Sequence, residues 1–357
     1  MRNDDVRIGL VIPLQGSTGI FGPSCEAVAD TAVREINAEG LLGRRVVLEV
    51  VDGGAPVPEI TARVGRLLER GAIDALTGWH ISAVREALAP LTAGRIPYAY
   101  TSLYEGGERR PGVFCTGETP EHQVGPALRW LRDRRRAHRW FIVGDDYVWP
   151  RVSARVTERF AHELDLELVG AAFVPLGTGD FSGTLDAVAR SGADGVLLYL
   201  VGQDAVQFHR MFAARGLDDR LLRYTPLMEE NMLLASGCEA TRDLFVSASY
   251  FRSLATASAL QLCTSYVADH GPDAPPLNEM AESCYEGLLM LQSLAHRAGS
   301  FEVPRLMAAA QGFGYDGPRG AMTMAQHRTD QPIHLAVPDG FDFEVIETLC
   351  RGGPPKP

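Results

Sequence analysis

Apolar residues along the chain fall into short dense runs, separated by stretches in which they recur every three or four positions. The first run, within Arg7 to Leu14, reads IGLVIPL, β-branched and unbroken by charge, as a strand covered on both faces requires. Pro23 to Glu39 follows with helical spacing: Val28, Ala32, Val33 and Ile36 share one face, and Gly40 ends it. The alternation continues with a strand at Val46 to Val51, a helix at Ile60 to Glu69 and a strand at Ile73 to Thr77. A helix at Ser82 to Ala93 and a strand at Ile96 to Tyr100 complete it. Such a βαβαβαβ series predicts a doubly wound parallel sheet.

The series then restarts. Helices are expected at His122 to Arg132, Pro150 to Glu163, Phe181 to Arg190 and Asp204 to Arg215. Between them lie strands at Arg139 to Val143, Leu168 to Val174, Gly195 to Val201 and Leu222 to Thr225. After Leu244 to Ser249 the pattern turns helical over Ala255 to Asp269, Glu279 to Ala298 and Val303 to Ala310. Three strand-like runs close the chain near Ala321 to Met324, Ile333 to Val337 and Phe343 to Leu349. No low-complexity linker separates the halves. The expectation is an α/β protein of two doubly wound lobes joined by a multi-strand hinge, with a ligand cleft between them. Residues 1–121 with about 250–330 form the first lobe, and 122–249 with about 331–357 the second.

Composition narrows the function. The 357 residues, 46% hydrophobic and 22% charged, suffice for two cores, and the net charge of −11 argues against direct nucleic-acid binding. The one basic run, Arg132 to Arg139, reads as a solvated helix end. No stretch approaches the roughly 20 apolar residues a membrane span needs. Only Met1 to Asp5 precede the first apolar run, with no signal-like segment, so a cytoplasmic location is expected, or a periplasmic or lipoprotein one if a signal has been removed. Cys25, Cys115, Cys238, Cys263, Cys284 and Cys350 form no CxxC pair, and no cofactor or metal site is expected.

In open α/β folds ligands meet the carboxyl ends of the strands, where free backbone N–H groups point. After the first strand comes Gln15-Gly16-Ser17-Thr18-Gly19, neither a dinucleotide nor a phosphate-loop pattern. Gly78-Trp79-His80-Ile81-Ser82 opens a helix, and Ser82 either caps it or offers its hydroxyl to a ligand. Further strand ends carry Tyr104, Asp146-Tyr147-Val148-Trp149, Gln203-Asp204 and Met228-Glu229-Glu230. Four aromatics at predicted strand ends, Trp79, Tyr104, Tyr147 and Trp149, predict an aromatic-walled pocket. His80 reads as a hydrogen-bonded wall residue, since no nucleophile is tied to it.

The segments GWHISAVREAL, TSLYEGGE and GDDYVWPR resemble type I periplasmic-binding-protein folds, in particular their amide and urea branch. That branch includes urea and short-chain-amide receptors of ABC importers and the cytoplasmic amide sensor of amidase operons. The resemblance runs from the first strand to about Gly320. Tyr104-Glu105-Gly106 and Asp146-Tyr147-x-x-Pro150-Arg151 carry it. It implies a ligand clamp rather than catalysis, with Ser82 and Tyr104 from one lobe and Tyr147 from the other. Trp149 stands where the amide sensor has a second tyrosine, and Met228 near its small hydroxyl residues. Gln203 adds polarity. Glu229 or Glu230 either holds a ligand ammonium or starts a helix as a surface acid.

The expected protein is therefore a non-catalytic binder of an amide, urea or amino-acid derivative. Its first reading is a cytoplasmic sensor, for which the resemblance implies an RNA-binding antiterminator as partner. The alternatives are the substrate-binding component of an ABC importer, partnered by a permease, or a binding fold recruited to biosynthesis. A homo-oligomer stays open.

Overall fold

The computed structural model describes residues 5–325 and 327–351. The first half lays down β1 (Val6–Ile12), α1 (Gly22–Glu39), β2 (Val46–Asp52), α2 (Val57–Glu69), β3 (Ala75–Gly78), α3 (Ser82–Thr92), β4 (Tyr98–Tyr100) and β5 (Val113–Cys115). The five strands pair in parallel in the order β2-β1-β3-β4-β5. In β1, Ile8, Leu10 and Ile12 face one core and Val11 the other, so the apolar run is buried on both sides as expected. Burying each such side chain contributes roughly 1.5–3 kcal/mol.

The second lobe comprises α4 (Pro120–Arg135), β6 (Arg139–Asp145), α5 (Val148–Leu164), β7 (Glu167–Val174), α6 (Ser182–Arg190), β8 (Gly195–Tyr199), α7 (Gln203–Ala214), β9 (Leu222–Thr225), α8 (Glu230–Ser236) and β10 (Leu244–Ala248). The chain then returns to the first lobe with α9 (Ala257–His270), α10 (Glu279–Ala298), α11 (Val303–Ala310), β11 (Phe313–Gly317), β12 (Gly320–Ala325) and β13 (Arg328–Asp330). It ends in the second lobe with β14 (Pro332–Asp339) and β15 (Asp342–Arg351).

Both sheets are mixed rather than wholly parallel. In the first lobe β11, β12 and β13 run antiparallel to one another, and β13 joins β5. In the second, β14 pairs antiparallel with β10 and carries β15. The periodicity of helix-linked strands foretells only parallel pairing. The late strands are linked by tight turns, which force antiparallel neighbours. Gly340, at φ +63°, makes the two-residue turn between β14 and β15. Among the described residues three stretches pass between the lobes: residues 116–119, residues 249–256 and residue 331 alone.

Candidate ligand cleft

The two lobes meet through the carboxyl ends of their strands. The β1–α1 loop of the first lobe touches the turn entering α7. Ser17 Oγ donates to the carbonyl of Val201 at 3.2 Å, and the Gln203 amide donates to the Ser17 carbonyl at 2.9 Å. Gly202 sits between them at φ +57°, where a Cβ would lie 2.1 Å from the Ser17 oxygen. Only glycine allows that approach. On one flank, Ser24 of α1 accepts from Asn278 at the start of α10 (2.9 Å) and from Asn231 of α8 (3.4 Å), tying the lobes together. On the other flank α3 lies beside α5. The lobes touch on both flanks.

On the α3–α5 flank, Ser82 is the first residue of α3, and the N-cap position falls to Ile81, so the serine does not cap the helix. Its Oγ lies 3.4 Å from the hydroxyl of Tyr100, which donates to the His80 carbonyl at 3.0 Å. Across the seam Tyr147 holds the N-cap position of α5. Burial, then Asp145 of its own lobe, then Tyr100 and Glu105 of the other, raise the pKa of the Tyr147 hydroxyl, so it stays protonated. Trp149 is buried with its ring edge-on to Tyr199 at 5.4 Å and tilted against Tyr147 at 6.4 Å. Trp79 packs edge-to-face on Phe21 at 4.7 Å, and its buried Nε1 has no hydrogen-bond partner among the described residues.

Other candidates sit elsewhere. The His80 ring lies in the core of the first lobe, with Nδ1 3.1 Å from the Val11 carbonyl and Nε2 2.5 Å from the Tyr98 hydroxyl. Burial pulls its pKa down to about 4, so it is a neutral strut for the wall. Tyr104 lies on the α3 face of the sheet, edge-on to Tyr100 at 6.0 Å, beneath the Arg85 guanidinium and hydrogen-bonded to Cys115. It opens toward an outer cavity of about 580 Å³, lined also by Gly107, Arg109 and Arg328. Gln203 contributes its backbone to the seam, while its side chain is exposed. Met228 is buried directly before the N-cap of α8. That cap is Glu229, which accepts from the amides of Asn231 and Met232, both at 2.8 Å. Glu230 accepts from the Arg252 amide at 2.9 Å, and its Oε2 is buried without a partner among the described residues. Burial pushes Glu229 up to about 8 and Glu230 up to about 7.

Three features are not legible in the sequence pattern. Tyr100 reads as the last residue of a strand and not as one of the residues after it, yet from that place at the end of β4 its hydroxyl reaches Ser82 at the seam. Asp145 ends β6 and accepts from the Val201 amide at 2.9 Å. Burial, and then the Asp204 carboxyl beside it, push Asp145 up to about 9. The third is a charge knot in the hinge. Arg319, fully buried between β11 and β12, reaches Glu282 at 2.6 Å, the Thr116 carbonyl and Gln331 Oε1 each at 3.3 Å, and Glu118 at 3.6 Å. Glu118 also accepts from the amide and hydroxyl of Ser249. One guanidinium thus joins all three crossings. Though buried, Glu118 has its pKa lowered, chiefly through Arg319, so it stays ionised.

Comparison with known proteins is consistent with this architecture. A family model described as "periplasmic binding protein" matches residues 5–340. A Rhodopseudomonas palustris ABC-transporter solute-binding protein, solved with benzoate, superposes with a TM-score of 0.85 at 19% identity, covering 98% of this chain and 97% of that one. Another from the same species, solved with p-hydroxybenzoic acid, gives 0.88 at 18% identity over 98% of each chain. A leucine-binding protein from Thermotoga maritima gives 0.83 at 17% identity, over 97% of this chain and 99% of that one. At these identities the likeness shows the fold alone. The Leu/Ile/Val-binding protein BraC3 of Rhizobium johnstonii is 43% identical over 60 residues, and the match spans 16% of each chain.

Proposed function

The chain belongs to the periplasmic binding protein family, and from that premise we propose that it is the substrate-binding component of an ABC importer, closing on a small polar ligand for delivery to a permease. The observation that carries the reading is the interlobe seam, where α3 lies beside α5, Tyr147 of one lobe is close enough to Tyr100 and Glu105 of the other to feel their charge, and Tyr100 in turn reaches Ser82. Contacts made by both lobes at once favour the closed state by population shift. The family's members are binding proteins, and a non-catalytic role follows for this chain. The solved relatives' names, which speak of ABC transport, support an importer over a cytoplasmic sensor with an RNA-binding partner. A periplasmic or membrane-anchored location belongs to the same reading.

For the ligand, the hydroxyls of Ser82, Tyr100 and Tyr147 suit an amide, urea or amino-acid derivative: they pair with C=O and N–H groups, while Trp149 covers an alkyl part. The test pairs calorimetry over amides, ureas and amino acids with a fluorescence reporter of lobe distance. A ligand that closes the lobes and loses at least tenfold in affinity with Tyr147→Ala is expected. A ligand that binds without changing the lobe distance, or that Tyr147→Ala leaves untouched, sinks the reading.

A further inference from the structure

Outward of Tyr104 lies the cavity of about 580 Å³, a volume that suits a small molecule. Its wall draws on both lobes. The loop of residues 104–109 after β4, and Arg328 of β13, come from the first lobe, and Glu121 of α4 comes from the second. Thr119, at the end of the first crossing, also lines it. Gly106 runs close to this threonine at φ +86°, where a Cβ would stand 3.9 Å from the Thr119 methyl group. The Tyr104 hydroxyl is taken by Cys115, so its ring closes the floor.

Charge in the wall is uneven once ion pairs are matched. Glu105 is held by Arg85 at 2.5 Å, Glu108 by Arg110 at 2.7 Å and Glu121 by Arg159 at 3.0 Å. Arg109 and Arg328, both exposed, have no acidic partner among the described residues. The charge of Arg328 also reaches inward, to Tyr104 on the floor and to His122 of α4. Two guanidiniums lining one cavity without a counter-charge attract a small dianion, and their planar forks match carboxylate or phosphate oxygens. Two buried groups add a second demand. Thr119 is 2% exposed, and its Oγ1 has no partner among the described residues. Glu105 Oε2, the oxygen that Arg85 does not bond, is buried and equally without a partner among them. A hydroxyl on the ligand serves both, since it donates to a carboxylate and also pairs with a threonine.

We propose that this cavity is an accessory site for a small dianion that carries a hydroxyl group, held by Arg109 and Arg328 with its hydroxyl turned to Thr119 and Glu105. A hydroxydicarboxylate and a hydroxyl-bearing phosphomonoester share that chemistry. The site is separate from the seam, because the edge-on rings of Tyr100 and Tyr104 stand between them. It therefore stands whichever ligand the cleft takes. The arginines are exposed, so binding weakens as salt is added.

The experiment is calorimetry of the full chain at low ionic strength with two matched pairs of probes: malate against succinate, and glycerol 3-phosphate against methyl phosphate. Malate or glycerol 3-phosphate is expected to bind about fivefold more tightly than its hydroxyl-free counterpart, and the one that binds identifies the oxyanion. Arg109→Gln and Arg328→Gln each weaken it about tenfold, and neither breaks an ion pair among the described residues, so folding is retained. Thr119→Val separates a ligand contact from a structural one. It raises the Tm of the free protein by removing an unpaired buried hydroxyl, yet weakens the anion several-fold. Tyr147→Ala, which acts on the cleft, leaves the anion's affinity unchanged. Failure of both hydroxyl-bearing anions to bind, indifference to both arginine variants, equal binding of the hydroxyl-free probes, or loss of binding with Tyr147→Ala overturns the proposal. A cleft ligand that closes the lobes while both anions fail leaves the importer reading standing and sinks this one alone.

Discussion

Nε of Arg319 lies 2.6 Å from Oε2 of Glu282, and neither side chain reaches solvent. The pair fastens α10 to the turn between β11 and β12 at the point where the chain crosses between lobes. Removing one partner leaves a buried charge unmatched, which costs about 3–5 kcal/mol, whereas replacing both by apolar groups is often near neutral. Arg319→Met is expected to fall by about that amount in urea denaturation. Arg319→Met combined with Glu282→Leu is expected to recover much of it. Equal loss in the single and double variants would mean that Glu118, not Glu282, is the partner that matters.

Gly202 offers a test of closure. At φ +57°, any Cβ at this position would come within 2.1 Å of the Ser17 carbonyl oxygen, which leaves no room for a side chain in the closed form. Gly202→Ala is expected to hold the lobes apart and weaken ligand binding at least tenfold, with the lobe cores unaltered. Small-angle scattering with saturating ligand reads this directly. A variant that compacts as the parent does would show that Ser17 and Gly202 separate in the liganded form.

Asp145 makes stability depend on pH. Its pKa, raised to about 9 by burial and then by Asp204, lies far above the unfolded value near 4. The folded chain therefore binds a proton that the unfolded chain releases. Its contribution is full below about pH 4 and is lost as pH climbs toward 9. Asp145→Asn, neutral throughout, is expected to match the parent's Tm near pH 4.5 and exceed it at pH 8. Parallel Tm curves for the two proteins over that range would exclude the raised pKa.

Tyr100 and Tyr104 separate the seam from the outer cavity. Loss of one hydroxyl bond is worth about 0.5–1.5 kcal/mol, so Tyr100→Phe is expected to weaken ligand binding three- to tenfold. Tyr104→Phe, whose hydroxyl meets Cys115, is expected to leave affinity unchanged. Calorimetry with the ligand that closes the lobes decides it, and the reverse order of effects would move the site to the Tyr104 side.

Much of the fold is legible in the sequence because periodicity reports which faces are buried. The run in β1 and the face of Val28, Ala32 and Ile36 in α1 sit where their spacing puts them. The strand Val113–Cys115 escapes such a reading: it is three residues long and follows Pro111-Gly112, which reads as a turn. Of the late antiparallel strands, β12, β14 and β15 stand out as runs but not as partners, since pairing depends on turns rather than on pattern, and β11 and β13 do not stand out as runs. At the site, position after a strand leads to Ser82 and Tyr147 on the α3–α5 flank but does not say where a ring points: Trp149 packs on Tyr199 within the second lobe. His80 and Tyr104, near neighbours of seam residues, turn into the lobe core instead. Arg319 resembles any arginine in a tight turn, because its partners Glu118, Glu282 and Gln331 come from other parts of the chain.

The threading of the chain through the hinge has a consequence for its synthesis. The first lobe is begun by β1 but needs α10 and β11 to β13, and the second waits for β14 and β15. Neither lobe can finish while the other is unmade. As the chain emerges, the first five strands remain half-covered until some two hundred further residues have followed. A nascent chain halted near residue 250 would carry two unfinished sheets, and proteolysis of ribosome-bound intermediates should find protection arriving late and in both lobes together.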